Sequence, residues 1–178
     1  MSNYCLVVTS RRLTNVAASA IVIRKAKSND ITACASLISS HVSGDLEEWQ
    51  SKFEQDLANP QRLFLVATVN DLVVGYGHTT FHTDALEDGA KSSPTGYFLS
   101  GLLISPAHRR QGLGERLTVA RIDEMRQVTN VIYYLAEPDN LATIELHSRL
   151  GFQRIGSVER DEQGYSLFRL ELQPINRQ

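Results

Sequence analysis

The stretch SPAHRRQGLG, residues 105 to 114, sets Arg109 and Arg110 ahead of Gly112 and Gly114 where an apolar run gives way to helical periodicity. A glycine at the start of a helix costs roughly 1 kcal/mol relative to alanine, so a compensating reason is required. A strand, a tight turn and a helix N-terminus together present unpaired N–H groups and the positive end of a helix dipole, which suits phosphate. The two arginines add charge at the rim. Spacing then separates the classes of phosphate-bearing ligand. No Lys-Ser or Lys-Thr follows Gly114, so a P-loop would lack both its lysine and its magnesium ligand. Leu117 stands where the dinucleotide fingerprint needs a third glycine. What is left is Arg-x-x-Gly-x-Gly, read as Arg109, Gly112 and Gly114.

Other side chains capable of chemistry are few. Asn140, Ile144 and His147 recur at i, i+4 and i+7, which places the imidazole on the helix face that carries Asn140. Glu137 leaves the run VIYYLAEP on the same side as Leu135. His78 and His82 share one strand face with Tyr76, but at about 13 Å apart along a strand they cannot ligate one metal. No metal site is predicted, and these two histidines are read as core or wall residues.

The elements that must position these groups follow from periodicity. AIVIRKAK (20 to 27) opens as a strand, and SNDITACASLIS continues as a helix behind Ser28, Asn29 and Asp30. DLEEWQSKFEQDLA makes a second helix that stops before Asn59-Pro60. RLFLVATV and LVVGYGHTTFH form a hairpin through Asn70-Asp71, and residues 83 to 96 have loop chemistry. YFLSGLLIS is a strand, and the glycine-led helix runs to about Val128 with Leu113, Leu117 and Ala120 on its inner stripe. VIYYLAEP is the next strand. Asn140 caps the helix LATIELHSRL, Gly151 ends it, and a last hairpin turns at Gln163-Gly164.

With 178 residues, 42% hydrophobic and 21% charged, the chain reads as one globular domain of α/β (α+β) class with no linker, repeat or low-complexity tract. The net charge of -2 gives no global basic field for nucleic acid or an anionic membrane, so neither is an expected partner. No apolar run approaches the roughly 18 residues of a membrane span. Cys5 and Cys34 make neither a disulfide framework nor a metal site, which fits a reducing, cytoplasmic setting. Residues 1–20 are expected to be a poorly ordered extension, with a transit peptide as the alternative, and residues 21–178 the domain.

The motif pair resembles the GCN5-related N-acetyltransferase (GNAT) superfamily: LLISP, Arg-x-x-Gly-x-Gly, and some 26 residues later NLATIELHSRLGF, in the family's order. The resemblance runs from about Ile21 to Leu172, with its specific signal in residues 97 to 152. It implies a central mixed, mostly antiparallel sheet flanked by helices and splayed between the fourth and fifth strands. It also implies acetyl-CoA as co-substrate. Leu102, Leu103 and Ile104 would then hold the pantetheine arm, and Arg109, Arg110, Gln111, Gly112, Leu113 and Gly114 the pyrophosphate, with Asn140 and His147 at the thioester end. The family pattern usually has tyrosine where this chain has His147, the group that protonates the leaving thiolate. An imidazolium of pKa about 6.5 is mostly unprotonated at neutral pH, so His147 would orient the sulfur more than protonate it.

The proton of the attacking amine also needs an acceptor, because an alkylammonium of pKa near 10.4 leaves one molecule in roughly 2,500 ready at pH 7, a deficit of about 4.6 kcal/mol. Residues 97 to 104 supply no carboxylate, so the expected base is Glu137, with His78 and His82 as alternatives. In the family the acceptor side is built from the first two helices and the loop between the third and fourth strands. In this chain those segments, 43 to 60 and 83 to 96, carry eight acids against two lysines. The expectation is a small cationic amine of aminoglycoside or polyamine type. A protein or peptide amine, or a non-catalytic acyl-CoA-binding regulatory module, is the alternative, and a homodimer is compatible with each.

Overall fold

The structure, a computed structural model, describes residues 21–42, 44–83, 93–160 and 163–173. The expectations for residues 1–20, and for most of the acidic loop 83 to 96, lie outside the described residues. The elements run β1 (Ile21–Lys25), a 3-10 turn (Ser28–Asp30), α1 (Ile31–Ser39), α2 (Leu46–Ala58), β2 (Arg62–Val69), β3 (Leu72–His82) and β4 (Gly96–Ile104). A second 3-10 turn (Pro106–His108) leads into α3 (Leu113–Met125), followed by β5 (Val131–Ala136), α4 (Leu141–Arg149), β6 (Gln153–Arg160) and β7 (Gln163–Glu171).

Local chemistry accounts for the element ends. Asp45 Oδ1 accepts the Glu48 N–H at 2.7 Å and caps α2, while Asn140 Oδ1 accepts the Thr143 N–H at 3.3 Å and caps α4. Asn70 and Asp71 take φ of 50° and 65°, the pair of left-handed residues that a two-residue hairpin turn needs. Gly151, at φ 94°, ends α4, and the Phe152 N–H returns to the His147 carbonyl at 3.0 Å. Two boundaries differ from the sequence reading. Helix α3 stops at Met125, and Thr129 and Val128 only close a final turn onto the Met125 carbonyl. The last hairpin does not turn at Gln163-Gly164, because these residues already pair with Arg160 and Glu159 and belong to β7.

Seven strands form one sheet in the order β1-β2-β3-β4-β5-β7-β6. Every neighbouring pair is antiparallel except β4 and β5. Helices α1 and α2 cover one face through Cys34, Phe53, Phe64 and Tyr76. On the other face α3 and α4 bury Ile122, Met125, Tyr134, Phe152 and Phe168. The parallel pair is short: Tyr97, Phe98 and Leu99 match Ile132, Tyr133 and Tyr134, and pairing then stops. Beyond Leu99 the two strands diverge, which is the predicted splay between the fourth and fifth strands. A bulge lies at the same place. Tyr76 pairs with Leu103 and His78 with Ser100, so Gly101 and Leu102 together oppose Gly77, and Gly101 takes φ 55°.

Candidate active site

Two recesses open on either side of the diverging strands. The first, of about 180 Å³, is lined by Ser100, Gly101 and Leu102 of β4, Tyr134 of β5, and Asn140 and His147 of α4, with Arg121 from α3. The second, of about 310 Å³, lies under α1 and α2 and is walled by Trp49, Phe53, Asp56, Arg62, Tyr76 and His78. His82 also lines it. Ser100 and Gly101 belong to both. The bulge in β4 is thus the wall at which the two spaces meet.

His147 sits at the first recess as its spacing predicts, and its surroundings fix its protonation. It is 3% exposed, its ring lies parallel to that of Tyr134 at 3.9 Å and 14°, and Phe152 packs on its edge. Nδ1 is 2.8 Å from the Thr143 carbonyl, which can only accept, so the ring proton is on Nδ1. Burial first, and the Arg121 charge as well, push its pKa down to about 4 against the opposing effect of the Thr143 bond. Nε2 is therefore a bare lone pair, buried with no partner among the described residues. The Tyr134 hydroxyl is likewise buried and unpartnered, and burial pushes its pKa up to about 12. His147 Nε2 and the Tyr134 hydroxyl are thus two polar atoms, on residues lining one recess, that have hydrogen-bonding capacity left over.

The cradle at residues 109 to 114 has the donors that the sequence implied. The first backbone bond into α3 is from Arg116 N–H to the Gly112 carbonyl at 3.0 Å, and the N–H groups of 110 to 115 have no backbone acceptor among the described residues. The two glycines differ. Gly112 holds φ 75° at the N-cap, a conformation an L side chain rarely adopts. Gly114 has no such constraint, and a Cβ there would lie 3.8 Å from Leu102, an ordinary contact. Packing therefore does not demand glycine at 114. Arg109 is braced: Nε donates to the Ile104 carbonyl at 3.1 Å and Nη2 to His41 Nε2 at 2.7 Å. Gln111 donates to the Ala107 carbonyl at 3.2 Å, and Arg110 stands exposed at φ 62°. Leu102 lines the first recess, whereas the side chains of Leu103 and Ile104 pack into the flanking cores.

Glu137 is exposed one residue beyond β5 and lines neither recess. His78 is 7% exposed in the second recess, T-shaped against Phe64 at 4.3 Å, with Nε2 unpartnered. Burial, then the charges of Arg62 and Arg121, push its pKa down to about 3. Of the acids counted in the sequence, Asp56 alone lines this recess among the described residues, and it forms an ion pair with Arg62. Glu47, Glu48 and Glu54 face solvent. The acid count included Asp56 without distinguishing it from its neighbours, while Arg62, Tyr134 and Arg121 carried no role in the sequence reading. For Arg121 a signal existed, since it follows Leu117 by four residues on the buried stripe of α3. Among the described residues no group of three or more His, Cys, Asp or Glu is placed to hold a metal, and no helix is long and apolar enough to cross a membrane.

Residues 31–152 match the model of the Acetyltransferase (GNAT) family, and the chain belongs to that family. An uncharacterized protein of Mycobacterium leprae is 31% identical over 76% of this chain, which spans about a third (35%) of that relative's length. The N-alpha-acetyltransferase RimI of Mycobacterium tuberculosis is 28% identical over 74% of this chain and 77% of its own. Among solved structures, yncA of Salmonella typhimurium, determined with its cofactor acetyl-CoA, superposes with a TM-score of 0.67 at 22% identity, covering 88% of this chain and 96% of that one.

Proposed function

We propose that this chain is an acetyl-CoA-dependent N-acetyltransferase whose acceptor is a primary amine carried on a small, largely apolar body. The observation that carries this reading is the shared wall: Ser100 and Gly101 border both the recess holding His147 and the recess under α2. The donor's pyrophosphate would take the orphan N–H groups of 110 to 115, its pantetheine arm would run along β4 past Leu102, and its thioester would reach the bulge. There the amine lone pair attacks the thioester carbon, a C–N bond forms, the C–S bond breaks with its electron pair on sulfur, and the amine's surplus proton passes to water. The sulfur is then protonated from solvent. With Nδ1–H held by Thr143, His147 offers the thiol a lone pair and so serves as an orienting acceptor.

The polycation expected from the acid count finds less support, because Asp56 is paired with Arg62 and the walls are aromatic. A peptide N-terminus is the second reading, favoured by the likeness to an N-alpha-acetyltransferase. Thiol release from acetyl-CoA, measured with arylalkylamines, alanine-led peptides, spermidine and an aminoglycoside, tests both. Apolar amines or peptides should lead in kcat/KM. Leadership by the polycations would return the acceptor to the cationic class, and tight acetyl-CoA binding with no release from any amine would support the non-catalytic alternative.

A further inference from the structure

Arg121 is 1% exposed in the middle of α3, and among the described residues no carboxylate pairs with it. Its guanidinium meets neutral acceptors. Nε donates to the Leu117 carbonyl at 3.3 Å, Nη1 to the carbonyls of His78 at 2.8 Å and Ser100 at 3.1 Å, and Nη2 to Thr118 Oγ1 at 3.1 Å. Four of its five N–H groups are thereby used. Gly77 leaves the space, since a Cβ there would stand 3.1 Å from Cζ and Nε. Burial lowers its pKa to about 9, which leaves it charged at neutral pH. A buried cation without a counter-charge is costly to a fold. This one is anchored to Ser100, which borders both recesses, and to His78, which walls the second, and its charge depresses the basicity of both His78 and His147.

We propose that Arg121 is a fixed buried cation that stabilises the negative charge arising where the two recesses meet, lowering the pKa of the departing thiol and disfavouring an acceptor held as its ammonium. The inference rests on the acetyltransferase reading above. Of the other charged or titratable groups at the two recesses, Lys52 and Arg62 are cations, burial keeps Tyr76 and Tyr134 neutral, and His78, His82 and His147 supply no negative charge; the one carboxylate, Asp56, is paired with Arg62 and lies 3.5 Å from His78 Nδ1. A preorganised charge in a dry site acts without reorganising, by its field alone.

The test uses coenzyme A itself, bound to the full chain and titrated by thiolate absorbance with the unliganded protein as blank. The bound thiol of the wild type should titrate below free coenzyme A. Arg121→Gln should raise that value by about one pKa unit or more, as removal of a unit charge several ångströms away requires, while calorimetry finds coenzyme A still bound. Arg121→Lys should retain the lowered value. Equal bound-thiol values in wild type and Arg121→Gln, or a wild-type thiol titrating at or above the free coenzyme, would overturn the proposal. Should Arg121→Gln not fold by circular dichroism, the wild-type and Arg121→Lys titrations decide alone. Failure of coenzyme A to bind the wild type overturns the acetyltransferase reading as well, whereas binding and turnover with an unshifted thiol overturns the role of Arg121 alone.

Discussion

His147 lies flat against Tyr134, ring centroids 3.9 Å apart at 14°, with its Nδ1–H tied to the helix carbonyl of Thr143. The stack carries a pH signature. His147 and His78 have folded-state pKa values lowered to about 4 and about 3 by burial, against about 6.5 unfolded. A depressed histidine binds its proton more readily in the unfolded chain, so the fold loses stability as pH falls below 6.5. By pH 5 each should cost about 2 kcal/mol. Urea titrations at pH 7.5 and 5 should show that loss, and His147→Phe should remove about half of it. A flat profile from pH 7.5 to 5 would contradict the assigned neutral state of both rings.

Glu137 makes a sharper contrast. It is exposed and borders neither recess, so Glu137→Gln should fall well short of the roughly 10²-fold loss that removal of a general base causes. Steady-state kcat with the best acceptor checks this, and a drop of that size would restore Glu137 as the base.

Gly114 separates fold from ligand. With a helical backbone and a Cβ site 3.8 Å from Leu102, Gly114→Ala should stabilise the chain by about 0.5 to 1 kcal/mol. The same methyl group should stand over the N–H cradle and weaken acetyl-CoA about tenfold, roughly 1.4 kcal/mol. Thermal unfolding and calorimetry on one variant read both. Unchanged affinity would remove the cradle from the donor site.

Asp56 and Arg62 are predicted to be a structural pair first. Asp56→Asn leaves Arg62 without its counter-charge and should cost about 2 kcal/mol, less than the roughly 3 to 5 of a fully buried pair because the Arg62 side chain is 29% exposed. Denaturant titration measures it. A neutral effect would mean that solvent already compensates Arg62.

Most of this architecture is legible in the sequence. Strand-length runs on either side of Asn70-Asp71 matched β2 and β3 to the residue, that dipeptide specified the hairpin, and Asn140 with Gly151 bracketed α4, because each rests on local chain chemistry. Gly164 reads as a turn residue, but the register of β6 against β7 pairs it with Glu159 and makes it part of the strand. The acid count is legible only in part, since Asp84, Glu87 and Asp88 lie outside the described residues. Composition gives charge per segment, but the face of α2 that meets the sheet holds Phe53 and Asp56, and the rest of its acids point to water. His147 was found by helical spacing, whereas its tautomer depends on a carbonyl that only the folded helix supplies.

The central claim is that acetyl-CoA enters where β4 and β5 diverge and meets the amine at the bulge. A crystal structure of the chain with acetyl-CoA tests it most directly. The account predicts pyrophosphate on the N–H groups of 110 to 115 and the thioester between Gly101 and His147, with its carbonyl carbon open toward Tyr76 and His78. A cofactor bound instead along the outer face of α3, in the recess beside Ile23 and Arg116, would contradict it.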